Sequence, residues 1–326
     1  MAARTELRGG VDLGGTKIEA IVVDAASSVL GNARAATPRS GGPQDVATAI
    51  AVAMREAVAA AGVETAALSG IGVGSPGIID TQAGTVTSAR NLPGWTGTFP
   101  LGPKLEAELG VPVAVGNDVA VATSAELALG AGRPYNSLLG VFWGTGIGGG
   151  VVLEGKLWRG RGGAGEIGHT VIRENGRQCT CGRFGCVEAY AGRGALELRA
   201  RKLHEEGEDT VLFELMREHG HDRLTSSIWD RALKADDKLT HELIDRAVAA
   251  LGAGIASAIN LIDVEAVVIG GGLGVRFGQP YVERIEQAMA PHLFADHRPP
   301  QVHLVALGDL GGAIGAALEV PGARVV

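Results

Sequence analysis

Gly9-Gly10-Val11-Asp12-Leu13-Gly14-Gly15-Thr16-Lys17 runs straight into Ile18-Glu19-Ala20-Ile21-Val22-Val23-Asp24, and the residues after the glycines decide the fold. They are apolar and β-branched, which reads as a strand. A P-loop or a dinucleotide fingerprint would place a helix there. The glycines therefore form the turn of a β-hairpin, its first strand beginning near Gly10. Asp12 with Gly14, Gly15, Thr16 and Lys17 makes a candidate phosphate-binding turn, because glycines expose backbone N–H groups that wrap anionic oxygens. Asp12 is also a candidate holder of Mg²⁺, a hard cation that prefers carboxylate oxygens and water. The competing reading is a plain hairpin whose aspartate caps the turn.

Outward from this hairpin, the pattern predicts a third strand over about 29–37 and an amphipathic helix over 43–61. A strand over 68–74, the turn Ser75-Pro76-Gly77 and a helix–strand pair ending at Val113–Gly116 follow. The pattern then begins again. Ser137–Trp143 reads as a strand, Gly144-Thr145-Gly146-Ile147-Gly148-Gly149-Gly150 as a glycine turn, and Val151–Glu154 as a strand. Two Gly-Thr hairpins, each opening an α/β unit, predict a duplicated α/β architecture with a cleft between its halves. The second hairpin also favours phosphate over a plain turn, since Gly144, Thr145 and Gly146 can grip one polyphosphate together with the first. Residues 187–262 read as mainly helical, with a helix start at Ser227-Ile228-Trp229-Asp230, where the hydroxyl can cap. Ala266–Ile269 is a buried strand ending in a turn at Gly270-Gly271-Gly272, a candidate for close approach to a nucleoside. A strand over Val302–Leu307 and a small-residue helix over Gly311–Leu318 complete the chain.

Gly116-Asn117-Asp118 ends one strand and leads into a helix over Val119–Leu129. Asn and Asp are favoured helix caps, so a cap alone explains them. Beside two phosphate turns, the better reading is Asp118 as general base for an alcohol, kept ionised at a helix N-terminus.

All three cysteines, Cys179, Cys181 and Cys186, fall within eight positions, ten residues after His169. Three thiolates and an imidazole complete a tetrahedral zinc shell, and four protein ligands make the metal structural. Small buried hydrophobes or a disulfide are the alternatives. The clustering around Gly182 and Gly185 favours zinc, because a metal loop needs glycine to turn tightly. Glu166 and Glu188 lie just outside the two ends of the cluster.

With 326 residues and 46% hydrophobic residues, the chain is long enough for two domains with their own cores. A net charge of −7 argues against a general nucleic-acid binder. No stretch suits a bilayer span, and MAARTELRGG carries no apolar signal core, so the expected location is the cytoplasm.

Together these motifs resemble the ROK family (repressors, uncharacterised reading frames and sugar kinases) of the actin-like ATPase superfamily. The residues that carry the resemblance are Asp-Leu-Gly-Gly-Thr-Lys at 12–17, Gly-Val-Gly-Ser-Pro-Gly at 72–77 and Asn-Leu-Pro-Gly-Trp at 91–95. Gly-Asn-Asp at 116–118, Gly-Thr-Gly-Ile-Gly-Gly-Gly at 144–150 and Gly-Glu-Ile-Gly-His through Cys-Val-Glu at 165–188 continue it. The last motif is the most specific. The resemblance implies the duplicated actin-like (ribonuclease H-like) α/β fold, with a small domain of 1–118 plus 311–326 and a large domain of 119–310. It implies Asp118 as catalytic base, Asn117, Glu166, His169 and Glu188 as sugar ligands, and His169, Cys179, Cys181 and Cys186 as zinc ligands. His169 then serves both metal and sugar. The nucleotide-side residues are Asp12, Gly14–Lys17, Gly144–Gly146, Gly271 and Gly272.

The compact Cys-x-Cys-Gly-x-x-Gly-Cys-x-Glu form is similar to the glucokinase branch. One departure is Val119-Ala120-Val121-Ala122, where the family usually has small residues and a further Asn; Glu126 matches a common acidic position. The expected activity is ATP- and Mg²⁺-dependent phosphorylation of a hexose 6-hydroxyl, glucose first, with sugar and nucleotide as the partners. N-acetylmannosamine or N-acetylglucosamine kinase is the nearest competitor. A sugar-responsive repressor would carry a helix-turn-helix ahead of the hairpin, for which ten residues leave no room, and a nicotinamide dehydrogenase would have helices after its glycine turns. No contact with nucleic acid or membrane is expected. A homodimer or higher homo-oligomer is expected from the resemblance alone.

Overall fold

The computed structural model describes residues 6–89 and 91–322. The first part of the MAARTELRGG segment, and the last four residues of the expected small domain, lie outside the described residues. The chain forms two compact units. One is Met1–Arg133 with Lys156–Ala164 and Ala306–Val326; the other is Pro134–Gly155 with Gly165–Val305.

In the first unit, β1 (Leu7–Leu13) and β2 (Lys17–Val23) pair antiparallel around the glycine turn, and β3 (Val29–Ala36) pairs antiparallel with β2. β1 begins at Leu7, three residues before the expected start. The chain then crosses through α1 (Pro43–Ala60) to β4 (Leu68–Ser75), which lies parallel to β1. A small sheet of β5 (Ile78–Asp80), β6 (Thr85–Thr87) and β7 (Thr98–Phe99) precedes α2 (Leu101–Leu109) and β8 (Val113–Asn117), which is parallel to β4. The main sheet order is thus β3-β2-β1-β4-β8. One face is covered by α1 and α2, which bury Ile50, Met54, Leu101 and Leu105 against Val11, Ile71 and Val73.

The other face receives α3 (Asp118–Leu129) and α11 (Gly311–Leu318), and this side is packed through glycine. A Cβ at Gly10 would overlap the Ala313 carbonyl oxygen, one at Gly72 that of Ala316, and one at Gly315 that of Val121. The backbones of β1, β4, α11 and α3 therefore meet with no side chain between them. Glu126 of α3 is buried, and its carboxylate accepts Ala131 N at 2.9 Å, Ala306 N at 3.0 Å and Leu307 N at 2.9 Å. These contacts hold α3 and the start of the final segment in the first unit, which therefore reaches Arg133 and resumes at Ala306. The boundaries expected at 118 and 311 are corrected accordingly.

The second unit repeats the pairing. β9 (Leu138–Trp143) and β10 (Ile147–Leu153) are antiparallel, β12 (Ala266–Gly270) is parallel to β9, and β13 (Gln301–Leu304) is parallel to β12. The turn is only Gly144–Gly146. Gly148–Gly150, expected in the turn, belong to β10, where their N–H and C=O groups pair with β9. The strand expected over Val302–Leu307 spans Gln301–Leu304. β11 (Lys156–Trp158) belongs to the segment that clusters with the first unit.

Between β10 and β12 lie α4 (Glu188–Ala191), α5 (Arg193–Glu205), α6 (Leu212–Glu218), α7 (Ser226–Lys234) and α8 (Lys238–Ile262). α7 is capped by Thr225, whose hydroxyl accepts Ile228 N, two residues before the Ser227 expected for that role. α8 starts where Asp237 accepts Thr240 N at 2.9 Å and stops where Asp263 turns left-handed. Its apolar face, with Leu243, Ala247, Leu251 and Ile255, joins Trp143, Trp229 and Val267 in one core. α9 (Gly271–Phe277) and α10 (Gln279–Met289) close the unit. The Gly270–Gly272 stretch is a direct strand-to-helix junction, not a free turn.

The α11 contact makes a stability prediction. Gly72→Ala should cost about 3 kcal/mol, at the upper end of overpacking penalties. Gly97→Ala meets nothing within 4 Å and should cost no more than about 0.5 kcal/mol. Urea unfolding of both variants measures the difference; equal effects would refute the close-packing account.

Candidate active site and metal centre

The turn after β1 is closed by Gly14 N donating to Lys17 O at 2.9 Å. Thr37 braces it from the end of β3, donating its hydroxyl to Gly14 O at 2.7 Å and its N–H to Thr16 O at 3.2 Å. Gly15 and Thr16 remain exposed at the tip. Asp12, at the end of β1, lies against the start of α11, where a Cβ at Gly312 would sit 2.8 Å from its carboxyl carbon. Burial pushes the Asp12 carboxyl up from 3.8 to about 6; Lys17 pulls it down, while Glu19 and Asp309 push it up. Glu19 is buried and paired with Arg34 Nε at 2.6 Å and Lys17 Nζ at 3.7 Å. Asp12 thus holds a negative charge at some cost, which a bound cation would relieve.

On the same unit, β8 passes directly into α3. Asn117, not Asp118, caps the helix: its Oδ1 accepts Val119 N and Ala120 N, both at 3.1 Å. Asp118 is the first helical residue, and its Oδ1 accepts Val119 N at 2.9 Å. The division of labour follows from backbone geometry. A cap needs extended φ/ψ, which Asn117 has at −70° and 136°.

In the second unit the turn Gly144–Gly146 is closed by Gly144 N donating to Gly146 O at 3.0 Å. Arg193 N donates to Gly144 O and Gly194 N to Thr145 O, both at 3.0 Å, so α5 starts against this turn. Gly271, with φ of +79°, lies where a Cβ would meet the Trp143 backbone at 2.6 Å, and a Cβ at Gly144 would sit 3.8 Å from Gly272 N. The Gly144 and Gly271 motifs, 127 residues apart in sequence, are therefore neighbours in the fold.

Glu166, His169, the cysteine loop and Glu188 gather beside them. Glu166 precedes a short 3₁₀ turn (Ile167–His169) that presents the imidazole. Nδ1 of His169 faces Cys179 Sγ at 3.8 Å, and Nε2 faces Glu166 Oε2 at 3.8 Å. The loop itself is a knuckle. Val171 bridges to Cys186 and Gln178 to Phe184, and Gly185 combines a φ of +81° with backbone contact to Arg173 that leaves no space for a Cβ. Glu188, the last of the predicted sugar ligands, is turned toward two neighbours. Its Oε2 accepts Ile147 N at 2.9 Å at the foot of the second hairpin, and its Oε1 accepts the Thr180 hydroxyl at 3.0 Å from inside the metal loop. The Ile147 contact has no sequence signal, since Ile147 and Glu188 are 41 residues apart.

His169, Cys179, Cys181 and Cys186 place their ligand atoms within 4.8 Å of one another. The cysteines are free thiols, with Cys181 and Cys186 sulfurs 3.8 Å apart. Zn–S bonds of about 2.3 Å set tetrahedral sulfur pairs about 3.8 Å apart, so the donor set fits zinc in both chemistry and spacing. Burial pushes the Cys179 thiol up to about 12 and raises Cys186 as well. Burial also opposes ionisation of Cys181, but the Arg183 N–H and the neighbouring thiols outweigh it and lower that thiol. Such a cluster ionises fully only with a cation at its centre.

These observations place the chain among α/β proteins with two glycine hairpins and a Cys₃His knuckle. The ROK family profile matches residues 8–322, and the chain belongs to the ROK family. A glucokinase of Halalkalibacterium halodurans is 34% identical over 311 residues, 94% of this chain and 92% of its own length. A ROK hexokinase structure from Thermus thermophilus matches with TM-score 0.78 and 35% identity, covering 96% of this chain and 97% of its own. A ROK family glucokinase structure from Streptomyces griseus, in complex with glucose and AMPPNP, matches with TM-score 0.83 and 31% identity, covering 95% and 98%. The mixed α/β fold is the actin-like one expected. Among the described residues no helix is long and apolar enough to cross a membrane.

Two predictions arise here. Because the Asp12 carboxyl is raised in the fold, its contribution favours folding below about pH 4 and is lost as pH rises through about 6. Asp12→Asn should remove that fall, so the urea midpoint of the variant should gain on the wild type between pH 4 and pH 7; parallel profiles would contradict it. For the knuckle, elemental analysis of the purified wild type should find one zinc per chain. Cys181→Ser and Gly185→Ala should lose it, and a metal-free wild type would overturn the assignment.

Proposed function

We propose that the protein is a hexokinase that transfers the γ-phosphoryl group of ATP to the 6-hydroxyl of glucose. The observation that carries the reading is the repeated hairpin: each unit opens on antiparallel strands joined by a glycine turn, with parallel strands following in the same order. In the first unit, the backbone N–H groups of Gly15 and Thr16 and the half-buried Asp12 carboxylate suit a metal–phosphate group, with Asp12 the residue that would hold Mg²⁺. In the second unit, the Gly144–Gly146 turn and the Gly271–Gly272 junction suit the remainder of the nucleotide.

Asp118 is the proposed base. It accepts the 6-hydroxyl proton while that oxygen attacks the γ-phosphorus, the bond to the β-phosphate oxygen breaks, and ADP leaves. Transfer of this kind is loose, so positioning and charge neutralisation carry most of the rate. Sugar hydroxyls are the proposed partners of Asn117, Glu166, His169 and Glu188. With Nδ1 turned to the metal side, His169 offers Nε2–H as a donor of fixed tautomer. Glu188 accepts Ile147 N on Oε2, and the Thr180 hydroxyl and the Cys179 thiol on Oε1; an ionised carboxylate has about four acceptor sites, so a sugar hydroxyl can still be accepted. Zinc in the knuckle is structural and holds the loop that carries these groups. Free thiols in this number fit a reducing, cytoplasmic setting.

The test is a coupled assay of ADP release with glucose, mannose, fructose, N-acetylglucosamine and N-acetylmannosamine, run on wild type and Asp118→Asn. Glucose should give the highest kcat/KM, and Asp118→Asn should lower kcat at least about 100-fold, the lower end for loss of a general base. A preference for an N-acetyl sugar would move the assignment to a hexosamine kinase. Near-normal turnover in Asp118→Asn would remove the base.

A further inference from the structure

Arg193 opens α5, and its surroundings in the second unit are those of an anion site. Its N–H already bonds Gly144 O, and its side chain reaches past the turn. Nη2 donates to Thr145 Oγ1 at 2.9 Å, and Nη1 reaches Ser226 Oγ at 3.5 Å. Ser226 is the first residue of α7, and a Cβ at Gly272 would lie 3.2 Å from its hydroxyl. One guanidinium therefore ties the hairpin turn to the start of α7, whose Ser226 lies beside the β12–α9 junction.

Among the described residues it has no counter-ion: the carboxylate in its neighbourhood, Glu197, is bonded by Arg201 at 2.6 Å and approached by Arg223 at 3.8 Å. Burial lowers the proton affinity of Arg193, Arg223 lowers it further, and Glu197 only partly opposes them. Both hydrogen-bond partners are neutral hydroxyls, and most of the N–H donors of the fork are not used by them. A half-buried guanidinium with no anion beside it is stabilised by a ligand that supplies the charge.

We propose that Arg193 is a polyphosphate ligand of the donor nucleotide, held over the Gly144–Gly146 turn by Thr145 and Ser226. This rests on the kinase reading above. The guanidinium fork suits phosphate oxygens better than an ammonium, because it can donate two parallel hydrogen bonds. The main-chain bonds from Arg193 and Gly194 to the turn do not depend on the side chain. Replacing it therefore leaves the start of α5 in place.

The experiment compares wild type, Arg193→Met and Arg193→Lys in calorimetric binding of Mg·AMPPNP and of adenosine, with KM for ATP and glucose and the melting temperature without ligand. Arg193→Met should weaken AMPPNP about 10- to 100-fold, the range of one charge-assisted contact. Adenosine binding, the glucose KM and the unliganded melting temperature should stay at wild-type values, and Arg193→Lys should recover part of the triphosphate affinity. Equal losses for adenosine and AMPPNP would show a brace, not a phosphate ligand, and would overturn the proposal, as would unchanged AMPPNP affinity. If Arg193→Met does not fold, the lysine variant decides, since a phosphate ligand requires its deficit to be confined to the triphosphate. A wild type that binds no AMPPNP and transfers no phosphate would sink the kinase reading itself. Normal wild-type behaviour with a normal Arg193→Met sinks Arg193 alone.

Discussion

Backbone meeting backbone, with no side chain between, is the constraint on which the rest of this structure depends. In the first unit the carbonyl oxygens of Ala313 and Ala316 occupy the space a Cβ on β1 or β4 would need. That depth of packing lets the first turn of α11 lie against Asp12, burying its carboxylate and raising its affinity for a proton. In the second unit Gly271 does the same against the backbone of Trp143, which brings the β12–α9 junction beside the second hairpin. The 51 glycines are therefore spent in two ways, on exposed N–H groups at turns and on close approach between elements. A ligand-facing turn is only as well placed as the packing behind it.

The second unit adds an electrostatic linkage. Glu188 joins the metal loop to the second hairpin through one carboxylate, with Thr180 on one oxygen and Ile147 N on the other. The knuckle thus also braces the second hairpin. Its state reaches the first residue of β10, and through that strand the Gly144–Gly146 turn. The loop that brings the four ligands together turns left-handed at both Gly182 and Gly185, and at Gly185 the Arg173 backbone passes where a side chain would be. A zinc ion bound there would supply the charge that makes three neighbouring thiolates tolerable.

Much of the fold was legible. The strand after the first glycine turn, the repeat of that hairpin at Leu138–Leu153, and the helix over Gly311–Leu318 follow from residue pattern alone, because period-two alternation, β-branching and small-residue runs are local signals. The misreadings share one cause. Gly148–Gly150 look like turn residues but pair in β10, and the Gly270–Gly272 stretch looks like a turn but starts a helix. Ser227 looks like a cap, yet Thr225 has the extended backbone that a cap requires. In each case glycine or serine permits several conformations, and the neighbouring element selects one.

By itself the sequence determined which chemistries are available: a Cys₃His set at knuckle spacing, two glycine hairpins, and an Asn-Asp pair where a strand becomes a helix. These are short-range facts, fixed by spacing along the chain. Only the tertiary structure decided how they are used. It assigned the α3 cap to Asn117, turned Glu188 toward both the cysteine loop and the hairpin, and set Arg193 against the hydroxyls of Thr145 and Ser226. The cap depends on the backbone angles at a single residue, and the other two outcomes on groups tens of residues apart meeting at hydrogen-bond distance, which no local pattern encodes.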